Sequence, residues 1–174
     1  MRKIVAVEPH PRCFRIMQNN LANRPESTTF VLVQKAVAHE AGPAKLFEHR
    51  GRKNKPARLF FSSLYRKRPM RDDYISVDGK PLQWYLDTYD PDVVKLDAEG
   101  VEVELRHCKD WRRVRTIVAE WDFKYHGLQQ WARTKAALEK HGFQLTGKPA
   151  VPKQLPSPGK SSGMVFVASR VPTA

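Results

Sequence analysis

The stretch Val93-Val94-Lys95-Leu96-Asp97-Ala98-Glu99-Gly100-Val101-Glu102 decides the fold class. Its first four residues are mostly apolar and half of them β-branched, the pattern of a short buried strand. Asp97 ends the strand and Gly100 supplies a turn. Val101, Leu105 and Cys108 then fall on one face of a helix. The same order of strand, acid and helix occurs at the start of the chain. Residues 3–7 (Lys-Ile-Val-Ala-Val) form an apolar run stopped by Glu8-Pro9, and Pro11 suits a first helical turn. Phe14, Met17 and Leu21 recur at helical spacing until Asn23-Arg24-Pro25 ends the helix.

Working outward, residues 29–33, 36–38, 44–48 and 74–77 read as strands, the last three short. Pro81 opens a helix over Leu82, Tyr85 and Leu86 that Asp90-Pro91 closes. Residues 115–121 read as a strand and 128–141 as a helix with Gly142 in the C′ position. Residues 143–146 and 164–169 make a final pair of strands. Alternating strands and helices predict an α/β fold, a mostly parallel sheet with helices on both faces. The last two strands have no helix between them, so one should run antiparallel. No repeat or boundary divides the chain, and residues 1–174 are expected to form one domain. Two irregular segments interrupt it: a basic loop at 49–71, and a loop at 147–163 rich in Pro, Gly, Ser and Lys.

Composition narrows the function. With 174 residues and 41% hydrophobic, the chain can fill one core. A mean hydropathy of −0.58 and short apolar runs exclude a membrane-spanning helix, which needs roughly 20 apolar residues. Cys13 and Cys108 are too few for a disulfide framework. The basic start is followed by too short an apolar run for a signal peptide, so a cytoplasmic protein is expected. The histidines His10, His39, His107, His126 and His141 show no ligand spacing, and no metal site is expected. There is no phosphate-binding glycine loop and no nucleophile elbow, and Ser62-Ser63 lacks an indicated partner histidine.

The formal charge is +13, from 31 Lys and Arg against 18 Asp and Glu. Nine of those basic residues lie in segment 49–71, which has no acid. That segment is either a solvated loop or a polyanion-binding surface, with Phe60, Phe61 and Tyr65 as stacking faces. Arg112, Arg113 and Arg115 form a second basic cluster. Non-specific nucleic-acid binding by a non-catalytic protein is therefore the alternative to an enzyme.

In an open α/β sheet, ligands bind beyond the carboxyl ends of the strands. Glu8, the residues after Val33, Asp97 and Glu120 all lie there. The Glu8 carboxylate either accepts both hydroxyls of a ribose or favours the N-terminus of the helix that follows. Asp97 and Glu99, with Glu102 just beyond, either position a hydroxyl and share a proton or form an ordinary acid-rich helix start. Lys95, on the same strand face as Asp97, pairs with a carboxylate or is a solvated flank.

Taken in order, Val5-Ala6-Val7-Glu8-Pro9-His10-Pro11, Gln34-Lys35-Ala36-Val37, Ser62-Ser63-Leu64, Val94 through Glu102, and Ile117-Val118-Ala119-Glu120 resemble the FkbM family of S-adenosylmethionine-dependent methyltransferases. The resemblance covers roughly residues 3–145, and the run Lys95-Leu96-Asp97-Ala98-Glu99-Gly100-Val101-Glu102 is its most specific part. It implies a Rossmann-like class I methyltransferase fold with a seven-stranded sheet. It implies O-methylation of a hydroxyl on a sugar or natural-product-like acceptor. By that similarity Glu8, with Pro9 beside it, holds the cofactor ribose, and Lys35, Ala36 and Val37 lie near the adenine. Asp97 and Glu99 face the transfer site, Asp97 also toward the cofactor, and Glu120 closes the far side of the cleft. Such catalysis rests largely on alignment, with proton removal assisting, and Asp97 is the candidate for positioning the acceptor. The family also carries a strand and a glycine-rich turn ahead of its Glu-Pro strand, whereas no glycine here precedes Gly42. An N-terminally truncated version of the fold is therefore expected, either as an incomplete frame or with the Glu8 and Asp97 strands paired directly.

Overall fold

Glu8-Pro9 stops the first strand because proline has no N–H to continue a ladder. In the computed structural model, β1 spans Arg2–Val7 and α1 spans Pro11–Leu21. His10 caps α1: its Nδ1 accepts from the Arg12 N–H at 3.1 Å, and Pro11 occupies the first turn. The structure describes residues 2–22, 24, 27–47, 74–98, 100–146 and 163–170. Segment 49–71 with Ser62 and Ser63, most of the 147–163 loop, and Glu99 lie outside the described residues.

The chain divides into two compact units, residues 1–81 and 82–174. In the first, β1 and β2 (Thr28–Val33) are parallel and in register from Arg2 opposite Thr28 to Val7 opposite Val33. Helix α1 supplies the crossover that a parallel pair requires. A second sheet places β5 (Tyr74–Lys80) between β3 (Ala36–Val37) and β4 (Gly42–Phe47), parallel to β3 and antiparallel to β4. Ala36, Leu46 and Val77 form its buried centre, flanked by Ala44 and Ile75.

Gly79 lies where β3, β4 and β5 meet. A Cβ there would stand 2.9 Å from the Ala38 Cβ, 3.1 Å from the Gly42 carbonyl oxygen and 3.3 Å from the Ala44 Cβ. All three neighbours are backbone or backbone-fixed atoms that cannot swing aside. Gly79→Ala is therefore expected to destabilise the first unit by about 1–3 kcal/mol, read by urea denaturation. An unchanged midpoint would show that the strands can separate at no cost.

In the second unit α2 spans Leu82–Tyr89, with Leu82, Tyr85 and Leu86 buried as their spacing predicts. Asp90 adopts a left-handed φ of 45° and ends it. Strands β6 (Val93–Leu96), β7 (Thr116–Asp122), β8 (Phe143–Thr146) and β9 (Gly163–Arg170) form one sheet in the order β6-β7-β9-β8. β6 and β7 are parallel, while β9 runs antiparallel to both β7 and β8, the reversal expected where no helix separates the last two strands. Strand β7 alternates, with Ile117, Ala119 and Trp121 buried. Against it pack Trp131 and Phe166, their rings edge to face at 5.0 Å. Trp111 meets Phe143 in the same manner at 5.1 Å.

Three expectations need correction. The sheets are mixed rather than mostly parallel: nine strands among the described residues form three sheets, with as many antiparallel as parallel pairings. The antiparallel pairings are those of β4 with β5, β7 with β9 and β8 with β9. The α/β class therefore stands, but a mostly parallel sheet does not describe it. Residues Val101–His107 form a 3₁₀ helix, not an α-helix, and bury Glu102 and Glu104 along with the apolar face. Helix α3 (Phe123–Lys140) starts five residues early because a short turn precedes Gly127, whose φ of 70° and ψ of 171° break the helix.

Candidate active site

In the second unit, register brings two predicted acids to one sheet edge. Leu96 of β6 pairs with Ala119 of β7, so Asp97, just past the end of β6, and Glu120, the next residue along β7, follow that register on parallel neighbours whose axes lie roughly 5 Å apart. The Asp97 Oδ2 accepts from the Lys95 ammonium at 3.0 Å, and both side chains are largely exposed. Lys95 is thus a carboxylate partner rather than a mere flank. Strand β7 runs two residues past Glu120, and the Glu120 carboxylate lies over Gly163 of β9, where a Cβ would fall 2.5 Å from Oε1. Gly163 therefore leaves the room that the Glu120 side chain occupies.

The turn after Asp97 is held from below. Glu102 reaches back so that Oε1 accepts from the Ala98 N–H at 3.0 Å and Oε2 from the Gly100 N–H at 2.9 Å. Gly100 has φ 125°, a conformation that favours glycine. His126 Nε2 lies 3.2 Å from the same Oε2, with only 6% of the histidine side chain and 3% of the glutamate exposed. Sequence reasoning named Glu102 only as a neighbour and set His126 aside. A separation of 24 residues carries no spacing signal that would have joined them.

In the first unit, the Glu8 N–H donates to the Val33 carbonyl at 3.1 Å, so Glu8 sits at the carboxyl end of the β1–β2 pair. Its Oε1 accepts from the His10 N–H at 2.8 Å. The cap of α1 is therefore His10 itself, and Glu8 braces the cap. Pro9 lies between them, half-buried. Lys35 follows β2 and is ion-paired with Asp78 of β5, with Lys80 at 3.7 Å adding to the pair. The Lys35 hydrogen bond holds the Asp78 carboxyl below its ordinary value against a small opposing effect of burial. A lowered folded-state value means that this clamp is in place above the ordinary carboxylate range and is lost as pH falls through the lowered value. The Ala36 side chain is buried in the β3-β5-β4 centre, so a ligand beside it would meet backbone. Val37 is half-buried on β3.

The second basic cluster is internally neutralised. Arg112 pairs with Asp87 at 3.1 Å, Arg113 with Asp90 and Arg115 with Asp92, each at 3.3 Å. These side chains tie the end of α2 and its following turn to the lead-in of β7.

Both cysteines are free. Burial, then the charges of Glu104 and Asp87, push the Cys108 thiol up to about 12. Cys13 is raised by partial burial and Glu8, with Arg12 opposing. Because the thiolate is the reactive form, a chromogenic disulfide reagent at pH 8 is expected to modify Cys13 slowly and Cys108 only after unfolding. Equal rates in the folded protein would overturn this assignment.

A family sequence model described as "Methyltransferase FkbM domain" matches residues 1–145, most of the chain. The chain belongs to this family. The FkbM match takes in all three parallel strand pairs and every predicted site residue, Glu8 through Glu120. No curated protein and no solved structure matches the chain at a significant level. Among the described residues, no helix of this FkbM domain is long and apolar enough to cross a membrane.

Proposed function

We propose that the chain is an S-adenosylmethionine-dependent O-methyltransferase acting on a hydroxyl of a sugar or natural-product-like small molecule, with residues 1–174 working as one methyltransferase-like domain. Family membership supports methyltransferase chemistry. The observation that carries the finer reading is the pair of acids, Asp97 just past the end of β6 and Glu120 next after the last parallel-paired residue of its neighbour β7. That is the edge at which α/β sheets receive ligands.

The residues present fit the cofactor. Glu8 is held at its strand end through Oε1, and its Oε2 takes no hydrogen bond from a described residue. That oxygen is free to accept ribose hydroxyls, with Pro9 fixing the chain beside it. Lys35, Ala36 and Val37 offer the adenine side, through backbone where Ala36 is concerned. When bound, S-adenosylmethionine supplies an electrophilic methyl group on a sulfonium centre. Asp97 orients the acceptor hydroxyl and takes up its proton as the oxygen is methylated, and Glu120 bounds the acceptor; Glu99, proposed for the same site, lies outside the described residues. Two free thiols agree with a reducing compartment and so with the cytoplasm.

The polyanion-binding alternative has less support, since Arg112, Arg113 and Arg115 are each paired with an aspartate. Calorimetric titration with S-adenosylmethionine, followed by transfer of a labelled methyl group to a panel of hydroxylated acceptors, tests the proposal. Micromolar binding and label on an oxygen are expected. Absence of binding at millimolar cofactor sinks the reading.

A further inference from the structure

Asp97 is poorly anchored by its own contacts. Its partner among the described residues, Lys95, is 69% exposed at the side chain, and exposed ion pairs hold little. The turn that carries it needs another anchor, and Glu102 is the group that reaches it. Its two oxygens accept the amide hydrogens of Ala98 and Gly100, one on each side of residue 99. Bonds of backbone N–H to an ionised carboxylate are short and strong among hydrogen bonds. A carboxylate with 3% of its side chain exposed persists only when its lone pairs are filled. His126 fills one, with Nε2 at 3.2 Å from Oε2. A carboxylate oxygen accepts, so the contact is a hydrogen bond in the tautomer that carries its proton on Nε2. The imidazole is fixed in turn by the Trp121 ring, 4.8 Å away and tilted by 50°. A continuous line thus runs from the core of β7, through the turn before Gly127, to the backbone of the Asp97 turn.

We infer that Glu102 is the positioning residue of the Asp97 turn and that His126 holds Glu102 in place. The inference rests on the methyltransferase reading only in taking Asp97 as the working group. Neither residue is assigned any contact with acceptor or cofactor. Both act through the amides of Ala98 and Gly100.

Two variants of the full chain test it. Glu102→Gln keeps the length and one carbonyl oxygen, so it can retain one of the two amide bonds. His126→Phe keeps a ring against Trp121 and removes the third partner of the carboxylate. Amide hydrogen exchange followed by NMR is the first readout. Exchange at Ala98 and Gly100 should quicken roughly ten- to hundredfold, while the amides of Ile117 and Ala119 in β7 stay at their original rates. Unchanged exchange at Ala98 and Gly100 in both variants overturns the inference. Quickening throughout β7 overturns it too, because Glu102 would then be supporting the whole unit. The second readout is kinetic: kcat for methyl transfer should fall about tenfold with the cofactor KM unchanged. A normal kcat with loosened amides overturns the positioning role. Local loosening in a chain that neither binds S-adenosylmethionine nor transfers methyl supports the Glu102–His126 anchor and removes the methyltransferase reading instead, so the two failures are distinguishable.

Discussion

Asp97→Asn should lower kcat for methyl transfer by roughly 10²- to 10⁴-fold, the range that a positioned acid or base contributes. Asparagine keeps the shape of the side chain and one acceptor oxygen. It replaces the other oxygen with a donor, so it can no longer take charge from an acceptor hydroxyl that is losing its proton. The Lys95 ammonium would then face an amide. That loss costs little stability, since the pair is exposed and such pairs are worth about 0–1 kcal/mol. The thermal midpoint should therefore hold while turnover collapses, which separates a chemical role from a structural one. A kcat within threefold of the parent would remove Asp97 from the mechanism. If turnover falls and recovers with rising pH in parent but not variant, Asp97 acts as the base as well as the guide.

How far a site can be read from sequence depends on how its residues are held. The strand-end positions of Asp97 and Glu8 were legible because a strand end is a local event, where a β-branched run stops and an acid follows, whereas Glu120 lies two residues before the end of β7. Lys35 was legible as a position but not as a partner, because Asp78 comes from a strand 43 residues on. The same limit hid the arginine–aspartate pairs, which the sequence shows only as a positive cluster. Strand β5 illustrates a different failure. Asp78-Gly79 is a turn signal, and the pattern stops the strand at Val77. The strand instead continues to Lys80, because Gly79 is where neighbouring backbones approach too closely for a side chain. One residue type serves both purposes, and only the neighbours decide which. The mixed sheets have the same origin: strand direction is set by what lies between strands, and local patterning records the strands alone.

The largest stability loss is expected from Trp121→Ala. Trp121 is fully buried on β7, its ring 5.4 Å from that of Trp131 and 4.8 Å from that of His126. Removing it opens a cavity in the middle of the second unit, and such truncations cost about 3–5 kcal/mol. Small domains hold only about 5–15 kcal/mol in all, so the variant should be close to unfolding at room temperature. Trp121→Phe should behave differently. The Trp121 Nε1 has no hydrogen-bond partner among the described residues, and a buried N–H left unpaired is itself destabilising. Phenylalanine deletes that donor while keeping a ring against Trp131, so its cost should fall below about 1.5 kcal/mol, the ceiling for well-tolerated core exchanges. Urea denaturation of the two variants gives the comparison directly. Equal losses would mean that the indole N–H has a partner and that the ring's shape matters less than its polarity. A large gap would show that the core beneath the Asp97 turn is held by aromatic packing, which is also what keeps His126 in reach of Glu102.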